Sequence, residues 1–154
     1  MLDSFKRPIY YLRLAVTGAC NLRCTYCSPD DLSLCGKDGQ LSFDQITEIV
    51  TAAAGLGFSK LRLTGGEPLV RKDIVSIVEA AKATGKIAHI SMTTNGTLLS
   101  GKVAALRKAG MDSINISLDT LNPDTYREIT RGGILQDVLD GIAAAREQNF
   151  SHIK

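Results

Sequence analysis

The stretch CNLRCTYC, residues 20–27, decides how the chain is interpreted, because it places three cysteines within eight positions. The apolar run Tyr11–Val16 precedes it and predicts a strand. Pro29, Gly36 and Gly39 follow it and are typical of a loop. The sequence therefore predicts a thiol-bearing loop at the end of a first strand, where it can fold around a metal centre.

Three kinds of cysteine site are compatible with this spacing: a disulfide, a zinc site and an iron–sulfur cluster. The chain has only four cysteines and no signal peptide, which argues against a disulfide framework. Zinc usually takes four closed ligands, and the candidates for a fourth are Cys35, His89 and His152, none in a familiar arm. Three thiolates on a four-iron cluster would leave one iron open to a small molecule, so the pattern favours the cluster.

The composition limits the remaining classes of protein. The 154 residues are 44% hydrophobic and 22% charged, as in an ordinary globular domain, and we expect one domain over residues 1–154. A net charge of +2 is too small to indicate nucleic acid or a membrane surface as a partner. No apolar run approaches the length of a membrane span, so the expected location is the cytoplasm.

Strands and helices alternate along the chain. Ser42 with Gln45 forms a capping box before the first helix, and Asn122 with Pro123 opens a later one. The order βαβαβαβαβ predicts an α/β fold with a parallel sheet, either doubly wound or a partial (β/α) barrel. The chain stops as a fifth strand begins near Ser151, as a fragment would after about four βα units. Its open sheet edge makes self-association an expectation.

Four unusual sequences follow consecutive strands. They are the cysteine stretch, Gly65–Pro68, Thr93–Gly96 and Ser117–Asp119. Because ligands bind at the carboxyl ends of parallel strands, we expect these sequences to meet at one pole. Alone, each of the last three could be an ordinary strand-end turn.

Residues 96–103 nearly match a phosphate-binding P-loop. The position that should supply a hydroxyl to Mg²⁺ is Val103, which argues against a nucleoside triphosphatase.

The C-x3-C-x2-C pattern, with Tyr26 before the last cysteine, resembles the signature of the radical S-adenosylmethionine (SAM) enzymes. The resemblance implies a partial (β/α) barrel of the radical SAM type, truncated after about four βα units. It also implies that Cys20, Cys24 and Cys27 hold a [4Fe-4S] cluster whose open iron binds SAM. It also implies that an electron donor reduces the cluster and that SAM is cleaved to a deoxyadenosyl radical, which takes a hydrogen from the substrate.

Further motifs across residues 7–154, including KLRLTGGEPLVR, TTNG and INISLDTL, resemble the GTP 3′,8-cyclase family of molybdenum cofactor biosynthesis. The resemblance implies GTP as substrate. It assigns SAM contacts to Tyr26, Gly66 and Ser117. It assigns GTP contacts to Arg13, Arg62, Thr93 and Lys154.

The chain departs from that family in two ways. Gly18-Ala19 stands where the family usually has Asp-Arg, and the family's C-terminal half, with three cysteines for a second cluster, is absent. Cys35 cannot replace those cysteines and is interpreted as a lone loop thiol. Three rival functions remain open: a radical SAM enzyme acting on a peptide or small metabolite, a non-catalytic metal-binding module, and an inactive fragment.

Overall fold

The fold was analysed in a computed structural model that describes residues 2, 4–27 and 40–154. The predictions for Pro29, Cys35, Gly36 and Gly39 fall outside these residues. Strands and helices alternate as the sequence predicts, with a short 3-10 helix at Pro68–Val70 that it does not. In chain order the elements are β1 (Tyr11–Ala15), α1 (Phe43–Gly55), β2 (Lys60–Thr64), α2 (Ile74–Ala83), β3 (His89–Thr94), α3 (Val103–Lys108), β4 (Ser113–Ile116), α4 (Pro123–Thr130), α5 (Leu135–Arg146) and β5 (His152–Ile153).

The sheet resolves the choice between the two parallel architectures. Its order is β1-β2-β3-β4-β5 and every neighbouring pair is parallel. A doubly wound sheet reverses its strand order at a switch point, whereas strands that follow chain order are those of a (β/α) barrel. The described fold is therefore a partial (β/α) barrel.

The two faces of the sheet differ in chemistry. The register aligns Leu14, Leu63, Met92, Ile114 and Ile153 in one row across the strands. Leu63, Met92 and Ile114 are fully buried, and this row packs in the main core with buried apolar residues of the helices. The strand face that carries this row is therefore the one the helices cover.

The opposite face is polar. The next row aligns Arg13, Arg62, Ser91, Ser113 and His152. A parallel sheet buried on both faces carries apolar side chains on both. This face carries cations and hydroxyls instead, as expected of the inside of a barrel that binds a polar ligand.

The helix ends follow the predicted signals. The Ser42 hydroxyl accepts the Gln45 N–H at 3.1 Å, and the Gln45 side chain accepts the Ser42 N–H at 2.9 Å, which completes the capping box. Asn122 Oδ1 accepts the N–H groups of Asp124 and Thr125 at the start of α4. These caps satisfy donors that have no partner within the helix.

Strand β1 ends at Ala15, one residue before the end of the predicted run Tyr11–Val16, and β4 ends at Ile116. At β1 the reason is local: the carbonyl of Thr17 accepts the N–H of Gly66 instead of continuing a ladder.

None of the described helices is both long and apolar enough to cross a bilayer.

Candidate functional site

The Gly65-Gly66-Glu67 backbone is joined to the start of the cysteine loop. The Gly66 N–H donates to the Thr17 carbonyl and the Glu67 N–H to the Ala19 carbonyl, both at 2.8 Å. A Cβ at Gly66 would lie 2.7 Å from the Gly18 carbonyl oxygen and closer still to that of Ala19. The missing side chains at these glycines therefore let the two loops lie against each other.

The loop after β3 reaches the cysteine stretch from a second direction. The Asn95 amide donates to Asn21 Oδ1 at 3.0 Å and lies 3.9 Å from the Cys20 sulfur. Asn21 in turn donates to the Thr97 hydroxyl at 2.8 Å. This small amide network holds the first cysteine against the end of β3.

The end of β4 supplies a third contact. The Tyr26 hydroxyl donates to the Asp119 carboxylate at 2.8 Å. Most of the Tyr26 side chain is exposed, but local desolvation, followed by the hydrogen bond to Asp119, raises the pKa of the phenol far above its ordinary value. Tyr26 therefore keeps its proton at neutral pH. The structure thus brings the four strand-end sequences together, as the sequence predicts.

Helix α4 forms a wall behind the cysteines. Its last carbonyls, of Ile129 and Thr130, accept the N–H groups of Thr25 at 2.9 Å and Arg23 at 3.3 Å. Gly133 follows the helix, and a Cβ there would lie 3.0 Å from the Leu22 side chain. The backbone on both sides of Cys24 is thus fixed by a helix that lies about a hundred residues away along the chain.

A buried carboxylate, Glu67, connects the loop after β2 to the loop after β3. It is 1% exposed and accepts hydrogen bonds from the Leu69 N–H, the Thr94 hydroxyl and the Asn95 N–H at 2.9, 2.8 and 2.6 Å. Burial raises the pKa of Glu67, and the three donors partly offset that rise. Glu67 therefore fixes the position of the loop that contains Asn95.

Replacing Glu67 by glutamine should lower the free energy of unfolding by about 2 kcal/mol, because a buried donor then faces a donor. The amide oxygen of glutamine can accept from Leu69 and Thr94, but its nitrogen would meet the Asn95 N–H. Denaturant unfolding measures the change. Glu79→Gln, at an exposed position on α2, is the control and should change stability little. Equal stability of the two variants would contradict the role given to Glu67.

Negatively charged groups lie close to the Cys20 and Cys24 thiols. Burial raises the pKa of Cys20, and the nearby Glu67 and Cys27 raise it further. Burial also raises the pKa of Cys24, with smaller contributions from Cys20, Cys27 and Asp119. Thiolates with other negative groups beside them are stabilised when a cationic group binds. The donor set and its electrostatics therefore fit a thiolate-bound metal centre.

Among residues 2, 4–27 and 40–154, no three His, Cys, Asp or Glu side chains converge as the ligands of a single metal ion. Cys20 and Cys27 are exposed and Cys24 is half-buried.

A cavity of about 600 Å³ opens on the polar face of the sheet. Three cations line it, Arg13, Lys60 and Arg62, together with Tyr10, Tyr11, His89 and Ser91. Lys60 lies over the Tyr10 ring and Arg62 over the Tyr11 ring, at 5.3 and 5.6 Å from the ring centroids. Within the described part of the chain, these three cations have no carboxylate at ion-pair distance. The cavity is therefore suited to an anion.

The remaining predicted site residues lie on or near the same face. Thr93 and Asn115 are aligned across β3 and β4, and the buried Thr93 hydroxyl has no hydrogen-bond partner among the described residues. Ser117 is exposed at the end of β4, where its N–H donates to the Thr94 carbonyl. Lys154 is exposed and follows β5, with its backbone paired to Ile114 and Ile116. Their contacts with a ligand remain predictions.

Sequence reasoning assigned no role to several residues that build the site. Glu67 was visible only as part of a glycine-rich turn, and Arg71 as one charge among several. Tyr126 is 2% exposed, and its hydroxyl has no partner among the described residues. No local signal shows that Tyr126 lies close to Leu22 of the cysteine loop, where a Cβ on Gly133 would lie 3.0 Å from both side chains.

Comparison with known proteins agrees with this geometry. The GTP 3′,8-cyclase of Limosilactobacillus fermentum is 48% identical over all of this chain, which covers 47% of that cyclase. The chain thus spans about half the length of the curated relatives it matches.

Two solved structures share the fold. Streptococcus suis SuiB bound to its precursor peptide SuiA has a TM-score of 0.76, with 19% identity over 92% of this chain and 31% of SuiB. The enzyme anSMEcpe with bound AdoMet has a TM-score of 0.72, with 18% identity over 95% of this chain and 43% of that protein. The family model described as the radical SAM superfamily matches residues 14–154. The chain therefore belongs to the radical SAM superfamily.

Proposed function

We propose that the chain is the cluster- and SAM-binding part of a lyase that cyclises GTP in molybdenum cofactor biosynthesis. The observation that carries the proposal is the cation-lined cavity on the polar face of the sheet. The first strand of this sheet leads into the three-cysteine loop. The similarity to GTP 3′,8-cyclases supports the choice of substrate.

Radical SAM proteins use a 4Fe–4S cluster with SAM, and the residues at the strand ends fit both. Cys20, Cys24 and Cys27 would hold the cluster, which when bound supplies the electron for reductive cleavage of SAM. The loop contacts described above fix the backbone on both sides of these cysteines before any ligand binds. Such preorganisation reduces the ordering cost of binding.

Three further residues would position SAM. Tyr26 lies in the cysteine loop and is 66% exposed, so its surface is available to a ligand. Gly66 presents backbone rather than a side chain, and Ser117 offers an exposed hydroxyl at the end of β4. The hydrogen bond from Tyr26 to Asp119 holds the end of β4 beside the cysteine loop, which follows β1.

The triphosphate would bind at the end of the polar face that lies farther from the cysteine loop. Arg13 and Arg62 are aligned on β1 and β2, and guanidinium groups bind phosphate oxygens in pairs. Arg13 lies four residues before Thr17, about 13 Å along an extended chain. A nucleotide could therefore contact the cations with its phosphates while its ribose extends toward the strand ends. Thr93 and Lys154 would add a hydroxyl and a fourth cation.

Replacing Arg62 by alanine should weaken GTP binding about 30-fold, because charge-assisted hydrogen bonds to phosphate are lost. Anaerobic isothermal titration of GTP into the chain measures the change. The control is Arg146→Ala, which removes an exposed arginine from the last turn of α5 and should leave GTP affinity unchanged. Equal affinities for GTP in the two variants would rule out a phosphate site on the polar face.

The substrate is tested with GTP that carries deuterium on the ribose. The reconstituted chain is reduced in the presence of SAM and labelled GTP, and deoxyadenosine is analysed by mass spectrometry. We expect deuterium in the deoxyadenosine, because the radical takes its hydrogen from the substrate. The L. fermentum cyclase serves as the reference enzyme. Unlabelled deoxyadenosine formed at the same rate without GTP would indicate a different substrate, such as a peptide or a small metabolite.

A further inference from the structure

A buried arginine, Arg71, joins the two described ends of the cysteine loop. Its Nη1 donates to the Val16 carbonyl at 2.8 Å, just before the loop, and to the Leu41 carbonyl at 2.7 Å, just after it. The residue is 7% exposed. One guanidinium nitrogen thus binds two carbonyls that lie 25 positions apart along the chain.

Asp73 orients this guanidinium. Arg71 Nε and Nη2 donate to the two carboxylate oxygens of Asp73 at 2.6 and 2.9 Å. The hydrogen bond from Arg71 is the main cause that lowers the pKa of Asp73. Asp73 directly precedes α2, and the carboxylate therefore anchors the arginine to a rigid element.

The loop ends also contact each other directly. The Thr17 hydroxyl donates to Gln40 Oε1 at 3.4 Å and accepts the Ala19 N–H at 3.1 Å. The Thr17 and Ala19 carbonyls are bound by the Gly66 and Glu67 N–H groups. Arg71 follows the same segment, at the end of the 3-10 helix Pro68–Val70. One stretch of chain, residues 66–71, therefore binds both the entry and the exit of the loop.

We propose that Arg71 and Asp73 are positioning residues for the three cluster-binding cysteines, acting by closing the base of the cysteine loop. Neither residue contacts the thiols. Closing the base fixes the separation of Val16 and Leu41 and so restricts the positions open to Cys20, Cys24 and Cys27. The forked geometry is required, because two carbonyls and a carboxylate are bound at once by one planar group.

Arg71→Lys provides the test, since lysine keeps the charge but cannot bind all three partners in this geometry. The matched control is Arg107→Lys. Arg107 also donates to two backbone carbonyls, of Met111 and Gln148, but at the far end of α3. Both variants are reconstituted anaerobically, and two quantities are measured: the rate of iron release to a chelator, and amide hydrogen exchange over residues 17–27 in the metal-free chain.

We expect Arg71→Lys to release iron about tenfold faster than the wild type and to exchange the loop amides faster, whereas Arg107→Lys should do neither. Denaturant unfolding of both variants measures any general loss of stability, so loop exchange that is faster than this loss explains separates positioning from stability. The iron measurement depends on Cys20, Cys24 and Cys27 being the cluster ligands, whereas hydrogen exchange in the metal-free chain does not. If the wild type binds no iron, that assignment fails, and loop exchange still decides the proposal. Unchanged loop exchange in Arg71→Lys, or iron release equal to that of Arg107→Lys, would overturn it.

Discussion

Replacing Cys24 by serine should reduce the iron content of the reconstituted chain from about four per chain to nearly none and abolish deoxyadenosine formation. Cys24 is the middle thiol, and its neighbours on both sides are fixed by α4. A serine hydroxyl is far less acidic than a thiol and binds iron poorly at neutral pH, and two remaining thiolates cannot hold a cluster that needs three. Iron and sulfide analysis and the visible absorption spectrum measure the loss.

The same chemical change at Cys35 is the matched control. Cys35 lies outside the C-x3-C-x2-C spacing, and the sequence assigns it no ligand role. Cys35→Ser should therefore keep its iron and its activity. Normal iron content in Cys24→Ser, or loss of iron in Cys35→Ser, would mean that the three-cysteine assignment is wrong.

Replacing Gly65 by alanine should lower the free energy of unfolding by about 3 kcal/mol, from backbone strain and overpacking together. Gly65 has a φ of +149°, a region that side chains rarely adopt. An added Cβ would press against the Thr17 carbonyl and lie 3.1 Å from the Thr17 nitrogen. Both are backbone atoms at the entry of the cysteine loop and cannot rotate away. Thermal and denaturant unfolding measure the change.

Gly101→Ala is the control for this substitution. A Cβ at Gly101 would meet nothing within 4 Å, so the change should be tolerated. If Gly65→Ala unfolds at the same denaturant concentration as Gly101→Ala, the contact between the loops after β1 and β2 cannot be as tight as described.

The alternation of strands and helices was predictable because each element carries its own signal. The stripe Ile74, Ile77, Val78 and Ala81 repeats at helical spacing and is buried in α2. Leu135 and Val138 repeat in the same way and are buried in α5. Such signals depend on neighbours within a few residues, and the sequence contains them directly.

The order of the strands was not predictable from local signals. A doubly wound sheet and a barrel use the same βαβ unit and differ only in which strands pair over long range. The polar positions on β1–β3, such as Arg13 and Arg62, were a partial indication, because an ordinary parallel sheet would have buried them. By itself, Arg13 is compatible with a strand edge or with the inside of a barrel, and the register places it beside Arg62.

The supporting residues of the site were hidden for a similar reason. Arg71 closes the loop through partners 55 and 30 residues away. Cys24 is held through backbone contacts with α4, and backbone atoms leave no trace in side-chain type. Motifs therefore indicate which residues do the chemistry, whereas the positioning contacts emerge only from the folded chain.

The most direct test of the account is anaerobic reconstitution of the chain with iron and sulfide, followed by reduction in the presence of SAM and assay for deoxyadenosine. The account predicts a brown protein with about four irons per chain that forms deoxyadenosine only when reductant is present. A folded protein, verified by circular dichroism, that stays colourless or binds zinc in place of iron would contradict it.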